Sequence, residues 1–206
     1  VGDALVQQAY APTALSQRSS ARYLRPVTAR PGGRPATLRR EGRPMTIAVG
    51  DSLPAATLYE MTADGPKGLP SAEVLGQGTV AVFGVPGAFT PTCHMKHMPS
   101  FVAQADALRA KGVDSIVCIT VNDPFVAKAW GDATGAPGAG IRVVGDAAAE
   151  FVQAIGIHFD GAAVGLGIRA QRFSMLVKDG TVTALNTEEK PSDMDVTGAE
   201  KLLEAL

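Results

Sequence analysis

Residues Pro86-Gly87-Ala88-Phe89-Thr90-Pro91-Thr92-Cys93 place a proline, a threonine and a cysteine in one short stretch. An apolar run, Thr79-Val80-Ala81-Val82-Phe83-Gly84-Val85, leads into it, and a helix-like run begins near His94. Cys93 is therefore expected where a strand hands over to a helix N-terminus. Backbone N–H groups are unpaired at that end of a helix, and its dipole favours negative charge. Both effects stabilise a thiolate, the reactive form of cysteine. Thr90 adds a hydroxyl that can donate or accept. Pro86 lacks an N–H and has a fixed φ, so it can shape the turn and shield the sulfur. The pattern points to a nucleophilic thiol.

The elements that must position this thiol are those of an α/β chain. Thr79–Val85 reads as a buried strand and residues 93–110 as a helix, with Met95, Met98, Val102, Ala105 and Leu108 near helical spacing. Lys111-Gly112 is a plausible stop. Ser115–Val121 reads as a strand buried on both faces. Asp123 is placed to cap the next helix, with Pro124 at its first position and Trp130 near its end. A short strand at Ile141–Val144 and a short helix at Ala147–Ile155 follow. Phe173–Val177 and Thr181–Leu185 flank Lys178-Asp179-Gly180, a strong hairpin signal. Thr197–Leu206 reads as a closing helix. A βαβ core followed by a hairpin and a helix is a thioredoxin-like layout.

Composition narrows the function. The 206 residues are 46% hydrophobic, enough for one domain plus an extra segment. A net charge of −1 gives no electrostatic case for a nucleic-acid partner. Apolar runs fall far short of the ~20 residues of a membrane-spanning helix, so no membrane partner is expected. The two cysteines, Cys93 and Cys118, fit a reducing compartment better than a disulfide-stapled fold. Residues 1–44 stand apart, with eight arginines against two acids, Asp3 and Glu41, and scattered Pro, Gly and Ser. They are read as disordered, processed or artefactual. The favoured expectation is upstream translated sequence with Met45 as the true start, which gives a domain at 45–206 and a cytoplasmic location. An organelle transit peptide, implying an organelle matrix, is the alternative.

Val85 to Phe101, VPGAFTPTCHMKHMPSF, resembles the active-site segment of peroxiredoxins of the type V (type II) group. Pro86, Thr90 and Cys93 match that family's Pro-x-x-x-Thr-x-x-Cys motif. Arg172-Phe173-Ser174-Met175 is similar to the strand start that carries the group's active-site arginine. Val121-Asn122-Asp123-Pro124-Phe125-Val126 and Trp130 also resemble the group, and the likeness spans roughly residues 45–206. The resemblance implies a thioredoxin-like α/β fold with a central mixed β-sheet flanked by helices. It implies a thiol peroxidase that reduces hydrogen peroxide and organic hydroperoxides, and a homodimer packed near the active-site face. Cys93 would be the peroxidatic nucleophile, oxidised first to a sulfenic acid. Arg172 would lower its pKa and supply donors where charge develops, Thr90 would hydrogen-bond sulfur and peroxide, and Pro86 would shield the thiolate. No cofactor and no metal are implied, only an external thiol: glutathione or glutaredoxin first, thioredoxin second.

Some residues keep two readings. Cys118 is either a small buried structural residue or a resolving thiol for Cys93, and alternation in its strand does not settle its face. Some members of the group place a resolving cysteine near the C-terminal helix. The stretch Ser192–Gly198 has none, which favours an external reductant. Arg169 is either a second guanidinium near the pocket or solvated. Cys93, His94 and His97 lack the closed ligand set of a metal site. Gly161–Gly167 reads as a flexible loop, and the acids at 188, 189, 193 and 195 as a solvated one. Three rival functions fit the residues less well than the peroxidase. A disulfide oxidoreductase needs Cys-x-x-Cys, but position 96 is lysine. A cysteine hydrolase needs a matched His base. A non-catalytic binding or chaperone module would be indifferent to loss of Cys93.

Overall fold

A computed structural model describes residues 46–206. The expectations for residues 1–44, and for Met45 as the start, lie outside them. The described chain runs β1 (Thr57–Thr62), β2 (Gly65–Pro70), α1 (Ser71–Leu75), β3 (Thr79–Val85), α2 (Met98–Ala110), β4 (Ser115–Thr120), α3 (Pro124–Ala133), β5 (Ile141–Gly145), α4 (Glu150–Ala154), β6 (His158–Asp160), β7 (Ile168–Ala170), β8 (Phe173–Lys178), β9 (Thr181–Thr187) and α5 (Ala199–Glu204). A seven-stranded sheet has the order β2-β1-β5-β4-β3-β8-β9. Strands β3, β4 and β5 are parallel neighbours, and β8 joins β3 antiparallel. The sheet is thus mixed and flanked by helices, the expected thioredoxin-like fold.

The central strands explain the core. Side chains alternate faces along a strand. Val80 and Val82 of β3, with Val117 and Ile119 of β4, fall in one buried cluster. Ala81, Phe83 and Val85, with Ile116 and Cys118, fall in the other, beside Met98, Phe101, Ala105 and Leu108 of α2. Cys118 therefore lies on the α2 face, in the same cluster as Cys93.

Local signals act as their chemistry requires. Asp123 Oδ1 accepts from the N–H groups of Phe125 (2.9 Å) and Val126 (3.0 Å), with Pro124 opening α3. Asp179 (φ 48°) and Gly180 (φ 79°) both take left-handed conformations, which a two-residue hairpin turn needs. Three expectations change. The Ala147–Ile155 helix shortens to Glu150–Ala154, because Asp146 caps Phe151 N and Val152 N and Ala149 sits at φ 56°. The closing helix begins at Ala199 rather than Thr197. Gly161–Gly167 is the tip of a β6–β7 hairpin with a short 3-10 turn, rather than a free loop. The β1–β2 hairpin was not foreseen. Strand β2 carries Gly and Pro, which only an edge strand accommodates.

Gly84 controls where β8 begins. It lies opposite Phe173, and a Cβ at this position would fall 2.0 Å from the Phe173 ring. Gly84→Ala is expected to overpack this contact and destabilise the fold by about 1–3 kcal/mol. Urea unfolding checks this: the midpoint should fall with the slope unchanged.

Candidate active site

The turn after β3 delivers the cysteine. Pro91 and Thr92 are helical, residues Cys93–His97 form a π-helical segment, and α2 continues from it. The first i→i−4 bond runs from His94 N to Thr90 O, 2.9 Å. Thr90 is thus the N-cap, Pro91 the first helical residue and Cys93 the third. The amides of Thr92 and Cys93 precede that first bond, so the helix leaves them without a partner. Thr90 Oγ1 donates to Gly87 O at 2.9 Å and closes the loop. Asn122 Oδ1 accepts from Ala88 N (2.9 Å) and Thr120 Oγ1 (2.7 Å), tying the loop to the end of β4. Pro86 and Gly87 are buried, and Phe89 holds a left-handed φ of 60° at the tip. Thr90 therefore serves the turn by donating back to Gly87, and its side chain does not cap the helix amides.

Cys93 is fully buried, and so is Arg172, at 1% exposure. Arg172 precedes β8, and both Nη1 and Nη2 lie 3.5 Å from Cys93 Sγ. Nη1 also donates to His97 Nδ1 (3.2 Å) and Nη2 to Pro191 O (2.7 Å). Among the described residues no carboxylate pairs with this guanidinium. The arrangement brings Cys93 and Arg172 together as the sequence suggested, with Thr90 and Pro86 on the adjoining loop.

His97 is neither a metal ligand nor a hydrolase base in sequence terms, and the structure gives it a different place. Its Nε2 lies 2.9 Å from Thr197 O, and a carbonyl only accepts, so Nε2 carries the proton. Nδ1 is then free to accept from Arg172. The ring packs edge-on against Phe83 and Phe101, with centroids 5.1 Å and 5.5 Å away. Glu188, expected in a solvated loop, is instead 5% exposed, because its carboxylate is turned in onto the backbone of residues 195–197. Arg169 is half-buried and anchored. It donates to the carbonyls of Val121 (2.8 Å), Leu166 (2.8 Å) and, more weakly, Pro86 (3.5 Å). The Asn122 contacts were hidden too, although its segment had been singled out. Trp130 Nε1 donates to His94 Nδ1 at 3.2 Å, linking α3 to the helix that carries Cys93.

Known proteins share this architecture and this segment. The Redoxin family profile matches residues 48–203. Peroxiredoxin-2B of Arabidopsis thaliana is 42% identical over 161 residues, covering 78% of this chain and 98% of that protein. Chloroplastic Peroxiredoxin-2E-2 of Oryza sativa subsp. japonica is 44% identical over 165 residues, covering 78% and 73%. The crystal structure of reduced Prx3 from Vibrio vulnificus in complex with hydrogen peroxide aligns with a TM-score of 0.73 at 44% identity, covering 78% of this chain and 99% of that one. This chain belongs to the peroxiredoxin family.

Electrostatics in this peroxiredoxin separate its buried groups. Burial first, and the Arg172 charge second, push His97 down from 6.5 to about 3, against the opposing bond to Thr197. His97 is therefore a neutral acceptor for Arg172. Burial and the neighbouring Cys93 push the Cys118 thiol well up, with Arg172 opposing. Burial also raises Asp146, against its capping bonds. Because His97 titrates lower in the fold than in the unfolded chain, its contribution to stability is complete above pH 6.5. It is lost as pH falls from there toward 3. Asp146 runs the other way, contributing at low pH and losing that contribution as pH rises through its folded value. Denaturant unfolding between pH 7 and pH 3 should show stability falling with acid. His97→Asn should flatten that fall, and subtracting the variant from wild type cancels Asp146. An unchanged slope would remove His97 as its source.

Proposed function

We propose that this peroxiredoxin reduces hydrogen peroxide and organic hydroperoxides through Cys93 alone, with electrons from an external thiol. The observation that carries the reading is Cys93 Sγ within 3.5 Å of both terminal nitrogens of a buried guanidinium with no carboxylate partner. A permanent positive charge at that distance favours thiolate over thiol. The Cys93 thiolate attacks one peroxide oxygen. A sulfur–oxygen bond forms, the O–O bond breaks, and the departing alkoxide or hydroxide takes a proton to leave as alcohol or water. Arg172 and the unpaired Thr92 and Cys93 amides supply donors where that charge develops. Thr90 and Pro86 shape the loop on the other side. The Cys93 side chain is buried in the resting structure.

A thiol such as glutathione then attacks the sulfenic acid, releasing water and leaving a mixed disulfide. A second thiol, with or without glutaredoxin, frees Cys93 and forms the oxidised reductant. Every electron comes from thiols, so the cycle needs no metal, haem or flavin. Two observations support glutathione or glutaredoxin over an internal partner. Residues 188–198 contain no cysteine. Cys118 is buried at mid-sheet opposite Phe83, and its raised titration makes it a poor nucleophile. A homodimer across the active-site face is supported by the exposed Phe89, Met95 and Phe125 on segments next to Cys93 and Asn122. The Arg-rich segment 1–44 and a chloroplastic relative support an organelle over the cytoplasm.

A coupled peroxidase assay with glutathione, glutaredoxin or thioredoxin as donor tests the cycle. Cys93→Ser should abolish turnover. Cys118→Ser should keep full turnover with glutathione, and loss there would establish a two-thiol route instead. Arg172→Ala should cost on the order of 10²–10³ in the peroxide step, as removal of a donor to developing charge does elsewhere. A binding or chaperone module would leave all of these variants alike.

A further inference from the structure

Glu188 is the one acid on its loop that turns inward. It follows β9, and its N–H donates to Arg172 O at 3.0 Å, so it extends the β8–β9 pairing beside Arg172. Gln171 Nε2 fixes the same point by donating to the carbonyls of Glu188 (2.6 Å) and Glu189 (3.0 Å). The side chain then leaves the sheet. Its Oε1 accepts from Asp195 N (2.8 Å), Val196 N (2.9 Å), Thr197 N (2.9 Å) and Thr197 Oγ1 (2.9 Å). Successive amides converging on one anionic oxygen make a backbone nest, here filled by the chain's own carboxylate. Among the described residues no lysine or arginine pairs with Glu188. Its charge is met by this nest.

The segment so fastened touches three groups around the sulfur. Pro191 O accepts from Arg172 Nη2 at 2.7 Å. Ser192 O accepts from Thr92 Oγ1 at 3.1 Å, one residue before Cys93. Thr197 O accepts from His97 Nε2 at 2.9 Å, which sets the tautomer that lets His97 accept from Arg172. We infer that Glu188 is a positioning residue for the peroxidatic centre: its carboxylate fastens residues 195–197, the end of a segment whose Pro191 and Thr197 carbonyls hold Arg172 and His97 against Cys93. It touches neither sulfur nor peroxide and acts through Arg172. The inference rests on the peroxidase reading.

Removing the carboxylate leaves four donors without an acceptor and frees the segment. Arg172 then loses Pro191 O, and the guanidinium is no longer aimed at the sulfur. In Glu188→Ala the rate constant for oxidation of Cys93 by hydrogen peroxide should fall about 10- to 100-fold, the scale of small misplacements at a reacting centre. The pH curve for alkylation of Cys93 by iodoacetamide should move to higher pH. Glu188→Gln keeps an oxygen acceptor and should recover most of both. Val182→Ala, in the buried part of β9, should lower Tm and leave both readouts at wild-type values. A Glu188→Ala protein with lowered Tm but wild-type rate and wild-type curve would overturn the inference and leave a structural role only. Should that variant not fold, Thr197→Val decides. A smaller shift in the same direction supports the inference, and wild-type values overturn it. Failure of the peroxidase reading looks different: wild type would consume no peroxide, while its alkylation curve would still answer to Glu188.

Discussion

A guanidinium buried at 1% exposure, with no carboxylate beside it, is the constraint on which this structure turns. Arginine does not give up its proton in a protein, so the charge cannot be relieved by titration. Leaving it uncompensated in a low-dielectric interior costs several kcal/mol. Arg172 is met by two neutral acceptors, His97 Nδ1 and Pro191 O, and by one sulfur able to carry a full negative charge. The packing of the guanidinium and the placement of the thiol are therefore set by one contact.

The surrounding architecture holds that pair in register. Strand β3 ends at the Pro86–Cys93 turn, and its antiparallel neighbour β8 begins just after Arg172, so one pairing sets the approach of the two residues. Gly84 makes the crossing possible by leaving room for the Phe173 ring. The aromatic wall of Phe83 and Phe101, stacked at 3.9 Å, keeps His97 dry and uncharged. A charged His97 there would oppose Arg172, so the apolar packing has an electrostatic purpose.

What the sequence revealed follows from the range of the signals. The turn chemistry of Asp179-Gly180, the cap of Asp123-Pro124 and the apolar runs of β3 and β4 act within a few residues, and each appears where it was expected. The pairing of Cys93 with Arg172 joins residues 79 apart in sequence and was legible only through the resemblance of two separated motifs. His97, Asn122 and Glu188 stayed hidden for one reason. Each acts through contacts outside any regular turn or periodicity, which composition cannot distinguish from those of an ordinary polar residue. Glu188 misled most, because acids in a polar loop are usually solvated. The β1–β2 hairpin escaped because its edge strand carries Pro and Gly, the residues that argue against a strand.

The π-helical turn from Cys93 to His97 has a geometric consequence of its own. Met98 N reaches back five residues to Cys93 O, so the helix carries one residue more than regular winding requires. Each residue of an α-helix advances about 100° around its axis. Winding the same residues as a regular α-helix would swing the sulfur through roughly that angle relative to the packed face of α2, whereas deleting one of positions 94 to 96 would leave it nearly in phase. The wide turn is thus a phase setting. It lets the buried face of Phe101, Ala105 and Leu108 obey the core while the Cys93 sulfur, on the same rod, meets the arginine.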